Sequence, residues 1–466
     1  MPPAGRPLLA VLCVAQFVDV LDVNAVLVAL PAIGRSLELT PGELQWVVTA
    51  YVLVFAGFLL LAGRLADLYG RRRLFMIGLL IFTLASLACG LARDPLTLIA
   101  ARAVQGLGAA ITAPAALAII TTNFNEGAER SAALAVWTAV AAGGGAAGLV
   151  LGGVITDALG WEWIFFVNVP VGLTALVLGP FALPESRGDP APRGLDLAGA
   201  VTVTGALALI VFAFSHAERA GPGSAVVLGS LAAGLLLALA FLLVERRTGS
   251  PLVPLELLRS GELAGPMLVA GVLTATTSAA GVLATLYLQN VLGYSPGVAG
   301  LAALPLSVAV IAGSSAGPAL MRRAGATSTM ALGLAWICCG ALIASRISPT
   351  EGLGYVLAAG ALSGVGLGAA SVAATARGTG SVSEEKRGLA SGLLTSSAQV
   401  GTALGIAAFV WLASARTDAL SPGRPTPETI VQGYEAGLLS IAALAAATAL
   451  AATRYLRGGS LRGARG

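Results

Sequence analysis

The chain has 466 residues, of which 57% are hydrophobic and only 11% charged, against about 25% charged in an ordinary soluble domain. With a mean hydropathy of +0.88 there are too few polar groups to cover a globule of this size, so a water-soluble protein is excluded and lipid is the main solvent. The 27 basic and 23 acidic side chains leave a net charge of +4, too mild an excess to indicate a nucleic-acid partner.

Crossing the hydrocarbon core takes about 20 mostly apolar residues in a helix that satisfies its own backbone. Such runs fall near 8–30, 43–63, 74–92, 96–121, 132–155, 162–183, 195–215, 224–244, 263–289, 297–320, 327–345, 353–376, 388–414 and 432–453. The predicted fold is therefore an all-α membrane protein of fourteen transmembrane helices, lodged in the cell membrane. Helix 1 is read as retained: it is too long for a signal-peptide core, no small-residue cleavage site follows it, and Asp19 and Asp22 interrupt it. Twenty of the 27 Arg and Lys residues fall in connections on the side of the N-terminus, six fall on the other side, and Arg102 lies in the membrane. Positive charge gathers inside, so both termini are expected in the cytoplasm. The stretch after Arg454, with Arg457, Arg462 and Arg465 among glycines, reads as a disordered cytoplasmic tail. Cys13, Cys89, Cys338 and Cys339 lie in apolar stretches without metal or redox spacing.

Gln105-Gly106-Leu107-Gly108-Ala109-Ala110 in helix 4 returns as Val365-Gly366-Leu367-Gly368-Ala369-Ala370 in helix 12, 260 residues on, and Arg130-Ser131-Ala132 returns as Arg387-Gly388-Leu389-Ala390, 257 residues on. Helices 1–6 and 9–14 thus read as two copies of one six-helix bundle. The expected organisation is a first bundle over 1–194, two inserted helices and a cytoplasmic linker over 195–262, and a second bundle with its tail over 263–466.

Several segments carry a family likeness. Gly63-Arg64-Leu65-Ala66-Asp67-Leu68-Tyr69-Gly70-Arg71-Arg72-Arg73, between helices 2 and 3, resembles the signature loop of the major facilitator superfamily. Leu21-Asp22-Val23-Asn24-Ala25-Val26-Leu27-Val28-Ala29-Leu30-Pro31 resembles the first-helix motif of its fourteen-helix drug:proton antiporters, and Gln45-Trp46-Val47-Val48-Thr49-Ala50-Tyr51 and Trp161-Glu162-Trp163-Ile164-Phe165-Phe166-Val167-Asn168-Val169-Pro170 resemble segments of the same subfamily. The resemblance implies that the loop of Gly63, Asp67, Gly70, Arg71 and Arg72 gates the exchange between outward- and inward-facing forms. On the residues alone, Asp67 is placed to cap a helix or pair with the following arginines, and the glycines permit close backbone approach.

Charges inside a membrane cost at least about 2.5–3.5 kcal/mol each on insertion scales, so a partner or a function is expected for Asp19, Asp22 and Arg102. At 1.5 Å per residue, Asp22 sits roughly 12 Å and Arg102 roughly 9 Å below the outer surface, a match in depth that lets them meet. A substrate that disturbs such a pair changes its proton occupancy. The resemblance assigns proton coupling to Asp22 and the family's helix 4 basic residue to Arg102. Asp19, outside the matched segment, shares a helix face with Asp22 and is read on physical grounds as a proton or cation site.

In helix 5, Gly144, Gly148 and Gly152, with Gly153 beside them, make a smooth face every four residues. Helix 10, with Gly313, Ser314, Ser315 and Gly317, is the expected mate, and the segment resembles the antiporter motif that seals the two halves, with Leu149 where the motif has proline. Asn24, Leu27 and Glu162 also depart from the family pattern, which implies an unusual substrate preference. Candidate cavity residues are Gln16, Asn24, Tyr51, Trp137, Tyr287, Gln289, Asn290, Gln399 and Trp411, a mix of rings and polar groups that suits an amphipathic, even cationic, organic molecule.

No GxxxxGK[ST] stretch is present and Lys386 is the sole lysine, so the chain is not itself a P-loop ATPase. One histidine, His216, makes no metal centre. The expected function is a non-enzymatic, cofactor-free exporter of small amphipathic compounds, driven by a proton gradient. A proton symporter that imports a metabolite is the alternative, with a channel or membrane-embedded enzyme more distant.

Overall fold

The computed structural model describes residues 5–125, 128–186, 196–249, 251–253, 262–383, 387–423 and 425–462. Among these, fourteen helices are long and apolar enough to cross a membrane. They are α1 (Gly5–Ser36), α2 (Pro41–Tyr69), α3 (Arg71–Gly90), α4 (Pro95–Asn123), α5 (Ala128–Leu159), α6 (Trp163–Ala182), α7 (Leu197–Ala220), α8 (Ala225–Arg247), α9 (Ala264–Val291), α10 (Pro296–Ala324), α11 (Ala326–Ala344), α12 (Leu353–Gly380), α13 (Arg387–Leu420) and α14 (Pro427–Arg462). Arg187, Arg193, Arg259, Lys386, Arg424 and Arg465, used in the orientation count, lie outside the described residues. The last helix runs to Arg462, into the stretch expected to be irregular.

Local sequence sets several helix starts. Thr40 caps α2 by accepting from the Glu43 amide, while the Glu43 carboxylate accepts from Thr40 N at 2.9 Å, with Pro41 in the first turn. Asp94 accepts from Thr97 N at 2.9 Å ahead of Pro95, and Ser295 caps α10 ahead of Pro296. A side-chain acceptor followed by proline satisfies an orphan amide and presets φ for the first turn. The last turn of α9, Tyr287–Val291, is π-helical.

The chain forms two compact units, one of Met1–Ala208 with Leu237–Leu252, the other of Leu209–Leu236 with Val253–Gly466. The inserted pair α7 and α8 is therefore divided between them.

In the first unit α5 lies along α1. A Cβ on Gly144 would come within 2.9 Å of the Phe17 carbonyl, on Gly148 within 2.5 Å of the Leu21 carbonyl, and on Gly152 within 2.5 Å of the Ala25 Cα. Gly106 of α4 meets the Tyr51 backbone of α2, and a Cβ on Gly108 would come within 2.8 Å of the Gly78 carbonyl of α3. A close-packed core of Leu8, Leu12, Phe75, Ile119, Ile120 and Phe124 fills the end of this bundle at which α1 begins.

The second unit repeats the scheme with other residues. Gly401 and Gly405 of α13 lie on Gly271 and Ala275 of α9; Gly364 of α12 lies on Leu306 of α10, and Gly366 on Gly333 of α11. By these contacts Gly106 corresponds to Gly364 and Gly108 to Gly366, an offset of 258 residues. The repeat read from sequence, which set Gly106 against Gly366, is thus corrected by two residues. Two residues turn a helix by about 200°, so in Gly- and Ala-rich text only the facing helix reveals the register.

The expected mate of the helix 5 glycines is also corrected. Gly144, Gly148 and Gly152 are covered by α1, and Gly313 and Gly317 of α10 are covered by Val365, Val372 and Ala369 of α12. Each smooth face is filled within its own unit, because packing neighbouring helices backbone to backbone is where a missing side chain gains most contact. Gly153 is buried beside Gly152.

Candidate functional site

The buried charges of the first unit form one network. Arg102 Nη1 donates to Asp22 Oδ2 at 2.5 Å, and neither side chain has any exposed surface. Asp22 Oδ1 accepts from Gln105 Nε2 at 3.0 Å and from Asn168 Nδ2 at 2.7 Å. Arg102 Nε donates to the Val47 carbonyl at 2.9 Å, its Nη1 also donates to Gln105 Oε1, and Gln105 in turn donates to Ser86 Oγ at 2.8 Å. An ion pair out of water needs its remaining lone pairs and protons engaged, and here helices α1, α2, α3, α4 and α6 each supply a group to the network, while Arg102 Nη2 has no partner among the described residues. The guanidinium also lies over the Tyr51 ring, 4.5 Å from its centroid.

Asp19, one turn before Asp22, takes a different partner, the Tyr51 hydroxyl, which donates to its Oδ1. It also lines a cleft of about 430 Å³, open mouth included, with Gln16, Thr112, Trp137 and a largely apolar wall that includes Leu79, Phe82 and Val171. Of the nine cavity candidates, Gln16 and Trp137 line this cleft. Tyr51 is fully buried between Asp19 and Arg102, and Asn24 faces α5, its amide donating to the Val20 carbonyl at 2.8 Å.

The other candidates belong to the second unit and are not gathered into one site. Tyr287 is buried and donates to the Ser348 carbonyl at 2.8 Å, beside Gly352. Gln289 is buried in the same π-helical turn, and Asn290 is exposed. Gln399 is half-buried in α13, and Trp411 packs against Phe214, with ring centroids 5.8 Å apart, beside Ala213, Ala217 and Val227. Trp411 thus secures the divided α7–α8 segment. By packing, Thr276 takes the place of Asp22 in this unit: it lies next to Ala275, which faces Gly405 as Leu21 faces Gly148, and it donates only to its own helix.

In the loop between α2 and α3, Asp67 pairs with Arg71 at 2.8 Å. Gly70 has φ +110°, and a Cβ there would meet Glu185 Oε1 at 2.8 Å. Behind α6 the chain returns to this loop: Arg71 N donates to the Ser186 carbonyl at 2.9 Å, Arg72 N to Glu185 Oε1 at 3.2 Å, and Arg72 Nη1 to the Leu183 carbonyl at 3.3 Å. Gly63 packs near Pro114, and Arg64 donates to the Pro251 carbonyl.

Sequence reasoning did not single out Gln105, Asn168, Ser86 or Glu185. Gln105 was within reach, being one helical turn from Arg102 on the same face. Asn168 stands in the tryptophan-flanked segment, but nothing local aims it at Asp22.

Fourteen membrane helices among the described residues, in two units, with a hydrogen-bonded ion pair deep in one of them, define a polytopic α-helical membrane protein built to keep charge away from lipid. The chain belongs to the Major Facilitator Superfamily, whose family model matches residues 12–406 and again 266–458, and it is a multi-pass protein of the cell membrane. It is similar to the puromycin resistance protein of Streptomyces alboniger, 40% identical over 430 residues that span 91% of this chain and 85% of that protein. The cephamycin export protein of Amycolatopsis lactamdurans is 42% identical over 418 residues, 88% of this chain and 85% of that protein. Among solved structures, the POT family transporter PepTSo superposes with a TM-score of 0.73 at 15% identity, over 97% of this chain and 98% of that one, a likeness of fold.

Proposed function

We propose that this protein exports small amphipathic organic molecules, of the antibiotic or drug kind, in exchange for protons, by alternating access and without converting its substrate. Two relatives of at least 40% identity are named for puromycin resistance and cephamycin export, which supports export over uptake. The observation that carries proton coupling is the Asp22–Arg102 pair, an ionisable carboxylate with no surface exposure whose charge is balanced by one guanidinium. Protonating Asp22 removes that balance, so a proton and a conformational change are linked through one bond. Asp19, the one acid on the cleft wall, favours a cationic group on the substrate. The loop of Asp67, Gly70, Arg71 and Arg72, held by Glu185, is the gating element, and both termini face the cytoplasm. The energy source is the proton gradient, with no cofactor.

Uptake of puromycin and ethidium into inside-out vesicles with an acid interior tests this. Gradient-driven accumulation by the native protein, lost in Asp22→Asn, is expected. Proton flux that instead follows a nutrient in the same direction, with neither compound accumulated, would establish symport.

A further inference from the structure

Among the described residues, buried polar groups without protein partners flank the ion pair on one side along the first bundle, and a cleft lies on the other. Toward the end at which α2, α4 and α6 begin, Gln45 is 3% exposed and neither atom of its amide has a hydrogen-bond partner; Trp161, 4% exposed, has none at Nε1. Asn168 Oδ1 and Arg102 Nη2, wholly buried, have none either. The Arg102 guanidinium reaches the neighbours of Gln45 and Trp161. Arg102 donates to the carbonyl of Val47, two residues along α2 from Gln45, and its guanidinium lies 5.7 Å from the Phe165 ring, against which Trp161 packs edge-on at 6.2 Å. Buried donors and acceptors in native proteins are satisfied by water where protein does not reach them. On the opposite side of the pair lies the cleft with Gln16, Asp19, Thr112 and Trp137, joined to the pair by Tyr51, which donates to Asp19 and turns its ring to Arg102.

We propose that the proton crosses within the first bundle alone, along a hydrated route that passes Gln45, Trp161 and Asn168 to Asp22 and continues through Asp19 into the cleft. This rests on the proton-coupled reading above and adds the path. A proton arriving past Gln45 neutralises the Asp22 carboxylate and releases Arg102 Nη1; it then moves to the Asp19 carboxylate and leaves to water in the cleft, so that only O–H bonds form and break. The other titratable groups facing Asp22 are Tyr51, Arg102 and Cys89, whose Sγ lies 3.7 Å from Gln105 Oε1. Gln45 is a positioning residue for proton delivery: its amide holds water without binding substrate or exchanging a proton itself.

The test uses the full chain in liposomes, with puromycin and ethidium as probes. Gln45→Leu is expected to slow probe-coupled proton movement by about tenfold or more, to leave probe exchange at symmetric pH unchanged, and to be rescued by Gln45→Glu. Unchanged proton movement, or an equal fall in exchange, overturns the route. Native protein that exchanges a probe without moving protons overturns the coupling reading, and the route with it. Hydroxyl-radical footprinting of the native protein, which needs neither substrate nor variant, is expected to oxidise Trp161 despite its burial; protection equal to that of Phe165 overturns the route.

Discussion

Asp22 and Arg102, eighty positions apart in sequence, meet at 2.5 Å with no exposed surface on either side chain. Removing one partner leaves a buried charge uncompensated, a loss of about 3–5 kcal/mol. Arg102→Ala is therefore expected to lower the thermal unfolding temperature in detergent sharply, and Asp22→Asn combined with Arg102→Gln to recover part of the loss. An additive double variant would show that the pair contributes nothing as a pair.

Gly148 and Gly152 are the tightest points between α1 and α5, and at Gly148 a Cβ would stand 2.5 Å from the carbonyl of Leu21, next in sequence to Asp22. Gly148→Val is expected to cost about 1–3 kcal/mol by overpacking and to impair gradient-driven transport by displacing α1. Gly143→Ala, with nothing within 4 Å of the added carbon, is expected to leave transport unchanged and melting at or slightly above the native value, since alanine favours a helix interior over glycine. Comparing the two by thermal melts and vesicle uptake checks the assignment of α1 as the mate.

Gly70 combines φ +110° with contact to Glu185. Gly70→Ala is expected to cost about 1–2 kcal/mol in backbone strain and to press on the Glu185 carboxylate. Glu185→Gln keeps the shape and removes the charge facing Arg72, 3.6 Å away. If the clamp governs conformational exchange, Glu185→Gln changes the rate of probe exchange while leaving the melting temperature near native; an unaltered rate assigns the clamp to architecture alone.

Hydrogen bonds from the Thr97 hydroxyl and amide hold the Asp94 carboxyl below the ordinary carboxylate value of 3.8. A depressed folded-state value means stability that is present above 3.8 and lost as pH falls through the folded-state value. Asp94→Ala is thus expected to melt below the native protein at neutral pH, with the gap closing at strongly acidic pH. A gap that is constant with pH would assign the effect to helix propensity.

Legibility from sequence followed the range of the interaction. Fourteen apolar runs are written residue by residue, because each helix satisfies its own backbone in lipid. Helix starts at Thr40, Asp94 and Ser295 are local too. The meeting of Asp22 with Arg102 was legible because chain direction and rise per residue set depth independently of packing.

What only the tertiary structure decided is azimuth and neighbour. A glycine face at Gly144, Gly148 and Gly152 is equally smooth toward any helix, and α1 covers it. Asn168 and Glu185 act on residues 146 and 113 positions away, Trp411 turns to the divided α7–α8 segment, and the repeat register shifts by two. Composition and periodicity say that a side chain must be buried or satisfied, because lipid penalises every unpaired polar group alike. Which partner satisfies it depends on how each helix is rotated against its neighbours, and that rotation is set by the packing of the whole bundle.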